Sequence, residues 1–281
     1  MSLPDLLIDP VVRLALAEDL GRAGDVTAAA CIPVDARLTA DFAARQTGVA
    51  AGLAVVRLAV RAMDPDAVVE ERITDGEAFE AGQTLVRVEA NARALLAGER
   101  TALNLLGRLC GVATLTRAYV KAVAGTGARI ADTRKTTPGL RALEKHAVAM
   151  GGGSNHRFGL DDAVLIKDNH VAVCGGAAEA VRRARAAVGH LMKVEVEVDG
   201  LDQLDAVLAL ADGPDVVMLD NFGLDDLREA VRRTAGRLVL EASGGVNLKT
   251  VGAIAETGVD VISVGALTHS APSLDIGLDA A

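Results

Sequence analysis

A chain of 281 residues, 51% hydrophobic and 24% charged, has enough material for one large domain or two modest ones, each with a core. Its formal net charge of −9 excludes general nucleic-acid binding, which needs a basic surface, and no apolar run reaches the roughly 18–20 residues of a membrane span. The three cysteines, Cys31, Cys110 and Cys174, are widely spaced without a C-x-x-C pair. They are expected as reduced thiols of a cytoplasmic protein, with neither a disulfide framework nor a zinc site. The first twenty residues show no basic start followed by an apolar core, so no secretory signal is expected. Trp is absent and Tyr119 stands alone, which leaves no aromatic platform for stacking bases.

Helical periodicity around Val11–Asp19 opens the chain. It gives way to β-type runs at Leu38–Ala44, Val68–Ile73 and Leu85–Val88, with Gly76 and Gly82 expected as turns. A long helix is expected from Leu95 to about Val123. Gly107 and Gly111 within it suit close contact at a cost in helix propensity. No low-complexity linker follows.

From about residue 129 the pattern changes to short β runs alternating with helical segments. The runs are Ile130–Ala131, Ala163–Ile166, Lys193–Val198, Val216–Leu219, Leu238–Ala242 and Val261–Val264. The helices are expected near 139–150, 176–188, 201–211, 224–235 and 247–257. Such alternation implies right-handed βαβ units and a parallel sheet. Six units in about 140 residues suit a closed or nearly closed α/β barrel, and no G-x-G-x-x-G follows a strand to favour an open dinucleotide-binding sheet. In Lys193-Val-Glu-Val-Glu-Val198 the charges occupy alternate positions, so one face is all charge. An edge strand facing water is one reading. A barrel lumen receiving Lys193, Glu195 and Glu197 is the one favoured here, because buried charges can then pair or bind ligand.

Barrel chemistry is carried at the C-terminal ends of strands. The residues there are Arg134/Lys135, Lys167/Asp168, Glu197, Asp220, Ser243/Gly244 and Gly265. Two cationic, two acidic and two glycine-bearing ends suggest a phosphorylated sugar: cations for anionic groups, carboxylates for hydroxyls or a metal, glycines for close approach of backbone N–H groups to phosphate. Each has a plainer alternative. Arg134-Lys135 could be a solvated pair before a helix begun by Pro138, and His156-Arg157 a loop after the triple glycine Gly151–Gly153. Lys167–His170 and Asp220-Asn221 could be turns or helix caps, and Ser243-Gly244-Gly245 an ordinary strand–helix turn.

The ordered blocks EDLGRAGDVTA (18–28), GERTALN (98–104), DTRKTTPGLR (132–141), GGGSNHR (151–157), LIKDNH (165–170), VEVEV (194–198), LDNF (219–222), EASGG (241–245) and VGALTHS (264–270) closely resemble quinolinate phosphoribosyltransferase, also called nicotinate-nucleotide pyrophosphorylase (carboxylating). The resemblance covers nearly the whole chain. It implies an open seven-stranded α/β barrel, residues 112–270, joined to an N-terminal α/β sandwich, residues 1–111, to which the tail 271–281 returns. It also implies a cytoplasmic enzyme of NAD biosynthesis that joins quinolinate to phosphoribosyl pyrophosphate. The products would be nicotinate mononucleotide, pyrophosphate and carbon dioxide, with Mg2+ and no organic cofactor. The partner it implies is a second copy: a homodimer with shared active sites, or a higher oligomer built on it.

Position by position, the resemblance assigns Arg134, His156 and Arg157 to the two quinolinate carboxylates, with Arg100 lent by the partner subunit. Lys135 and Lys167 would line the phosphoribosyl pyrophosphate site. Glu197 and Asp220 would lie near the ribose hydroxyls and the magnesium, and Glu195 competes with Glu197 for that role. Ser243, Gly244 and Gly265 would cradle the 5′-phosphate. Lys135, Glu197 and Asp220 are the expected catalytic residues. Two alternatives share the fold: a paralogous molybdenum-locus protein with an altered dicarboxylate grip, and a non-catalytic sensor of nicotinate nucleotides.

Overall fold

The computed structural model describes residues 3–281. Its elements in chain order are α1 (Asp5–Leu20), α2 (Val26–Cys31), β1 (Arg37–Ala44), β2 (Gly48–Val49), α3 (Leu53–Met63), β3 (Val68–Glu71), β4 (Ala78–Phe79), β5 (Thr84–Asn91), α4 (Ala92–Ala122), β6 (Arg129–Ala131), α5 (Arg141–Met150), β7 (Val164–Ile166), α6 (Asp168–Cys174), α7 (Ala177–Ala187), β8 (Val194–Val198), α8 (Leu201–Leu208), β9 (Val216–Asp220), α9 (Leu224–Thr234), β10 (Val239–Ser243), α10 (Val251–Ala255), β11 (Val261–Ser263), α11 (Ala266–His269) and β12 (Ile276–Ala280). No described helix is long and apolar enough to cross a membrane.

The chain divides into two units. One holds residues up to Arg117 together with Thr136–Gly152 and Leu267–Ala281, and the other holds Ala118–Lys135 and Gly153–Ala266. The first unit is built on an antiparallel sheet in the order β12-β1-β5-β3, so the tail strand β12 lies against β1. Its core includes Phe42, Leu53, Val56, Leu85 and Leu95, all almost fully buried. Helix α5, which the sequence places with the barrel residues, groups with this unit. The physical reason is a buried anchor: Glu144 is fully buried, its side chain lies 2.8 Å from Arg108 Nη2, and Oε2 accepts the Thr137 amide at 3.0 Å. The same helix starts at Arg141 and not at 139, because Gly139 adopts φ +82° and breaks the helical run.

The glycines of α4 have a structural purpose. A Cβ on Gly107 would lie 2.7 Å from the Leu274 carbonyl oxygen, and one on Gly111 would fall on the carbonyl oxygen of Pro272. The Leu274 amide also donates to the Gly107 carbonyl at 2.9 Å. The helix gives up propensity so that the tail backbone can reach it. Gly111→Ala is expected to cost about 1–3 kcal/mol, as overpacking of a close contact does, and thermal denaturation followed by circular dichroism measures it. A melting temperature equal to the unmodified protein's would refute this account of the close approach.

The second unit carries a six-stranded parallel sheet in the order β6-β11-β10-β9-β8-β7. The six expected β runs all form. The expected seventh strand is reduced to one parallel bridge, Ala131 to Ser154, on the free side of β6. Adding it places residue 154 at one end of the sheet and β7 at the other, so the barrel opens between them. Outward positions Val194, Val196, Val198, Val217, Leu219, Leu240 and Ile262 are buried, as a parallel sheet covered by helices requires. Helix α10 is shorter than expected because Asn247 to Thr250 forms a turn, with the Thr250 amide bonded to the Asn247 carbonyl at 3.0 Å and the Lys249 amide to Asn247 Oδ1 at 3.0 Å.

Candidate active site

Strand parity decides which side chains face the barrel lumen. In β8 the valines point outward and Glu195 and Glu197 inward. In β9 and β10 the inward positions include Met218, Asp220, Glu241 and Ser243. Lys193 departs from the expectation. It precedes β8, its side chain is 74% exposed, and its Nζ pairs with Asp215 at 2.7 Å. Lying before the strand begins, it stays in water with Asp215 as its partner and is absent from the lumen lining.

The inward residues bound a cavity of about 390 Å³, whose walls include Arg134, Lys135, His156, Arg157, Lys167, Glu197, Asp220, Glu241 and Ser243. Four cations and three carboxylates, drawn from loops and strands far apart in the chain, therefore meet around one space. Most of the plainer alternatives fall away with this geometry. Arg134 and Lys135 line the cavity. Asp220 does not cap α9, whose N-cap is Gly223 without a side-chain bond; instead Asp220 Oδ2 accepts from Asn221 Nδ2 at 2.7 Å. The stretch after β7 is both wall and helix. Lys167 lines the cavity, and its amide donates to His170 Nδ1 at 2.9 Å as α6 begins. The sequence allows that stretch to be either a turn or a cap, and the structure makes it a short helix.

Gly244 does not line the cavity but shapes its rim. It adopts φ +95°, and a Cβ there would collide with the Asn221 side chain, whose backbone N–H donates to the Ser243 carbonyl at 2.9 Å. Only glycine satisfies both demands. Gly265 follows β11 and precedes α11, outside the lining. Arg100 belongs to the first unit, exposed on α4, and is also absent from this lining.

The electrostatics are those of a loaded polar site. Burial and the neighbouring Arg134 lower the Arg157 pKa, though a guanidinium stays charged at neutral pH. Burial, followed by repulsion from Asp220, raises that of Glu197, with Lys167 opposing. Burial and Glu195 push Glu241 up to about 7 against the pull of His156. Arg134 Nε, Arg157 Nε, Glu195 Oε1 and Glu241 Oε1 are buried without a hydrogen-bond partner. Unpaired buried polar atoms are costly, and their concentration around one lumen marks a site organised for a polar ligand.

Glu197, Asp199 and Asp220 bring carboxylate oxygens within 4.8 Å of one another. Hard oxygen donors at this spacing fit a hard divalent cation such as Mg2+. Asp199 was not anticipated, and neither were Asp132, Glu241 and Ser263. Glu241 had a usable signal, since it lies two residues before Ser243 and so on the same strand face. Asp132 had none: its role is to accept the His156 amide at 2.8 Å from a fully buried position.

A larger cavity of about 460 Å³ lies within the first unit, lined by Asp5, Arg57, Glu71, Asp75 and His146 among apolar side chains. Its acids outnumber its cations, and His146 Nε2 already pairs with Asp75 at 2.7 Å. It does not suit a polyanion.

Comparison with known proteins supplies the family. Residues 25–110 match the description "Quinolinate phosphoribosyl transferase, N-terminal domain", and residues 112–279 match "Quinolinate phosphoribosyl transferase, C-terminal domain". The chain belongs to the quinolinate phosphoribosyltransferase family. Within the family, the nicotinate-nucleotide pyrophosphorylase (carboxylating) of Mycobacterium leprae is 49% identical over 274 residues, covering 95% of each chain. The chloroplastic nicotinate-nucleotide pyrophosphorylase (carboxylating) of Arabidopsis thaliana is 41% identical, covering 99% of this chain and 84% of its own. Among solved structures, the nicotinate-nucleotide pyrophosphorylase of Ehrlichia chaffeensis superimposes with a TM-score of 0.93 at 37% identity, covering 100% of both chains.

Proposed function

We propose that this chain transfers the phosphoribosyl group of phosphoribosyl pyrophosphate to quinolinate, with decarboxylation, giving nicotinate mononucleotide, pyrophosphate and carbon dioxide for NAD biosynthesis. The observation that carries this reading is the single cavity in which Arg134, Lys135, Arg157 and Lys167 face Glu197 and Asp220, in a chain of this family. Both substrates are polyanions. Bringing them together opposes binding by about 4 kcal/mol per like-charge pair at 4 Å near a protein surface. Arg134 and Arg157 offset this with fork geometry that matches carboxylates, which lysine cannot copy. Lys135 and Lys167 meet the phosphates as point charges, and Ser243 beside the Gly244 turn receives the 5′-phosphate.

In the reaction the pyridine nitrogen bonds to the anomeric carbon as the bond to pyrophosphate breaks. Glu197 and Asp220 face the positive charge that develops on the sugar. The adjacent carboxylate then leaves as carbon dioxide. Its electron pair stays on the ring carbon, stabilised by the cationic nitrogen, and takes up a proton. The protein's share is positioning and electrostatics, without a covalent intermediate. Glu197, Asp199 and Asp220 would hold a divalent cation such as Mg2+, which would supply charge neutralisation for the leaving pyrophosphate. Incubation with quinolinate, phosphoribosyl pyrophosphate and Mg2+ is expected to release carbon dioxide and the mononucleotide in equal amounts. Binding of the mononucleotide without turnover would favour a sensor instead.

The active assembly in this reading is a cytoplasmic homodimer in which Arg100 of one copy completes the dicarboxylate site of the other. Mixing an inactive Arg100→Ala protein with an inactive Lys135→Ala protein is expected to restore activity toward one quarter of the unmodified level. That is the share of sites which a random exchange of subunits leaves with neither defect. Mixed dimers without recovered activity would rule out the shared site.

A further inference from the structure

His156 does not present its ring to the cavity as a free cation. Its Nδ1 accepts the Arg157 backbone N–H at 2.8 Å, and its Nε2 lies 3.0 Å from Glu195 and 3.7 Å from Glu241. With Nδ1 accepting an N–H, the proton available for donation on the carboxylate side is the one on Nε2. Nε2–H then donates to the carboxylates. The same three residues have the composition of a cation site. A metal on Nε2 would require the ring to lose its last proton while Nδ1 still accepts, so the bonding pattern argues against that use. Glu195 and Glu241 are both over nine-tenths buried, and each keeps one unpartnered oxygen. Such a cluster is costly to maintain in a barrel lumen, and nothing in the transfer chemistry uses it directly.

We propose that Glu195 and Glu241 are positioning residues, which clamp Nε2 of His156 so that its Nδ1 fixes the Arg157 backbone and aims the Arg157 guanidinium at the substrate's carboxylates. Two further anchors hold the same loop. Asp132 Oδ1 takes the His156 amide at 2.8 Å, and Arg157 Nη1 donates to the Ala163 carbonyl at 3.1 Å. The elevated pKa of Glu241 agrees with the arrangement, since a carboxyl protonated near neutrality can lie beside a second carboxylate without full repulsion. The two acids of β8 thereby divide their roles. Glu197 lines the cavity, and Glu195 works one layer below, through the histidine.

The inference rests on the proposed transferase activity, and the test separates the two. Steady-state turnover is measured for the unmodified protein, Glu195→Leu, Glu241→Leu, His156→Ala and the double variant Glu195→Leu/His156→Ala, with folding followed by circular dichroism. Glu195→Leu is expected to raise KM for quinolinate at least tenfold, while kcat and KM for phosphoribosyl pyrophosphate stay within threefold. Glu241→Leu should shift the same constant to a smaller extent. In the His156→Ala background, Glu195→Leu should add less than twofold, because its effect passes through the ring. Glu195→Gln, which fills the same volume and can still accept from Nε2–H, should give a smaller rise than leucine and serves if the leucine variant fails to fold. Equal effects in both backgrounds, equal effects on both substrates, or glutamine matching leucine would overturn the proposal. Absence of turnover by the unmodified protein would remove the activity reading and this inference together.

Discussion

Arg157→Ala is expected to lower kcat/KM for quinolinate by two to three orders of magnitude while the protein remains folded. Removing one partner of a buried, charge-assisted contact costs about 2–5 kcal/mol, and each 1.4 kcal/mol is a factor of ten. The guanidinium donates to the Ala163 carbonyl within its own unit, while its buried Nε has no partner. Most of its bonding capacity is therefore held for a ligand and not for the fold. Arg157→Lys should recover little, since an ammonium cannot form the two parallel bonds of a fork. Steady-state kinetics with circular dichroism on both variants decides the matter. Loss of the folded signal would reassign Arg157 to structure, and full activity in the lysine variant would remove the fork argument.

Asp220→Asn is expected to reduce turnover at least a hundredfold and to raise the Mg2+ concentration needed for half activity, since charge neutralisation by a metal supplies several kcal/mol. The substitution keeps shape and removes charge from the trio Glu197, Asp199 and Asp220. Stability should move in the opposite direction. The pKa of Glu197 is raised by burial and then by Asp220, so between its unfolded value and that higher folded value the folded state binds more protons. Stability therefore falls as pH rises through that window. Removing the Asp220 charge lessens the effect, so the variant should melt no lower than the unmodified protein at pH 8. The difference should shrink as pH drops below the ordinary glutamate range. A destabilised variant at pH 8, or an unchanged Mg2+ requirement, would contradict a carboxylate cluster strained for metal binding.

Both predictions concern residues visible in the sequence, but they were visible unequally. Arg157 stood out because cations gathered at strand ends in a chain of net charge −9, and Asp220 because it closed a β run. The alternating VEVEV run announced a charged face, yet it could not say that Lys193 would leave it for Asp215. It could not rank Glu195 against Glu197 either, since the two share spacing, chemistry and strand face. Asp132 and Glu241 were silent because their importance lies in partners far away in the chain: Asp132 meets the amide of His156, and Glu241 meets the side chains of His156 and Glu195.

By itself the amino-acid order determined the parallel sheet of the second unit, the places of its six strands to within a residue or so at each end, and the cationic strand ends, because periodicity and junction chemistry are local properties set by a few neighbouring residues. Only tertiary structure decided which carboxylate meets the cavity and which meets His156, that Nδ1 of His156 accepts the Arg157 amide, and that α5 joins the first unit through Glu144 and Arg108. Those outcomes depend on distances between segments separated by tens of residues. Burial and pairing are fixed there by three-dimensional packing, which no local pattern encodes.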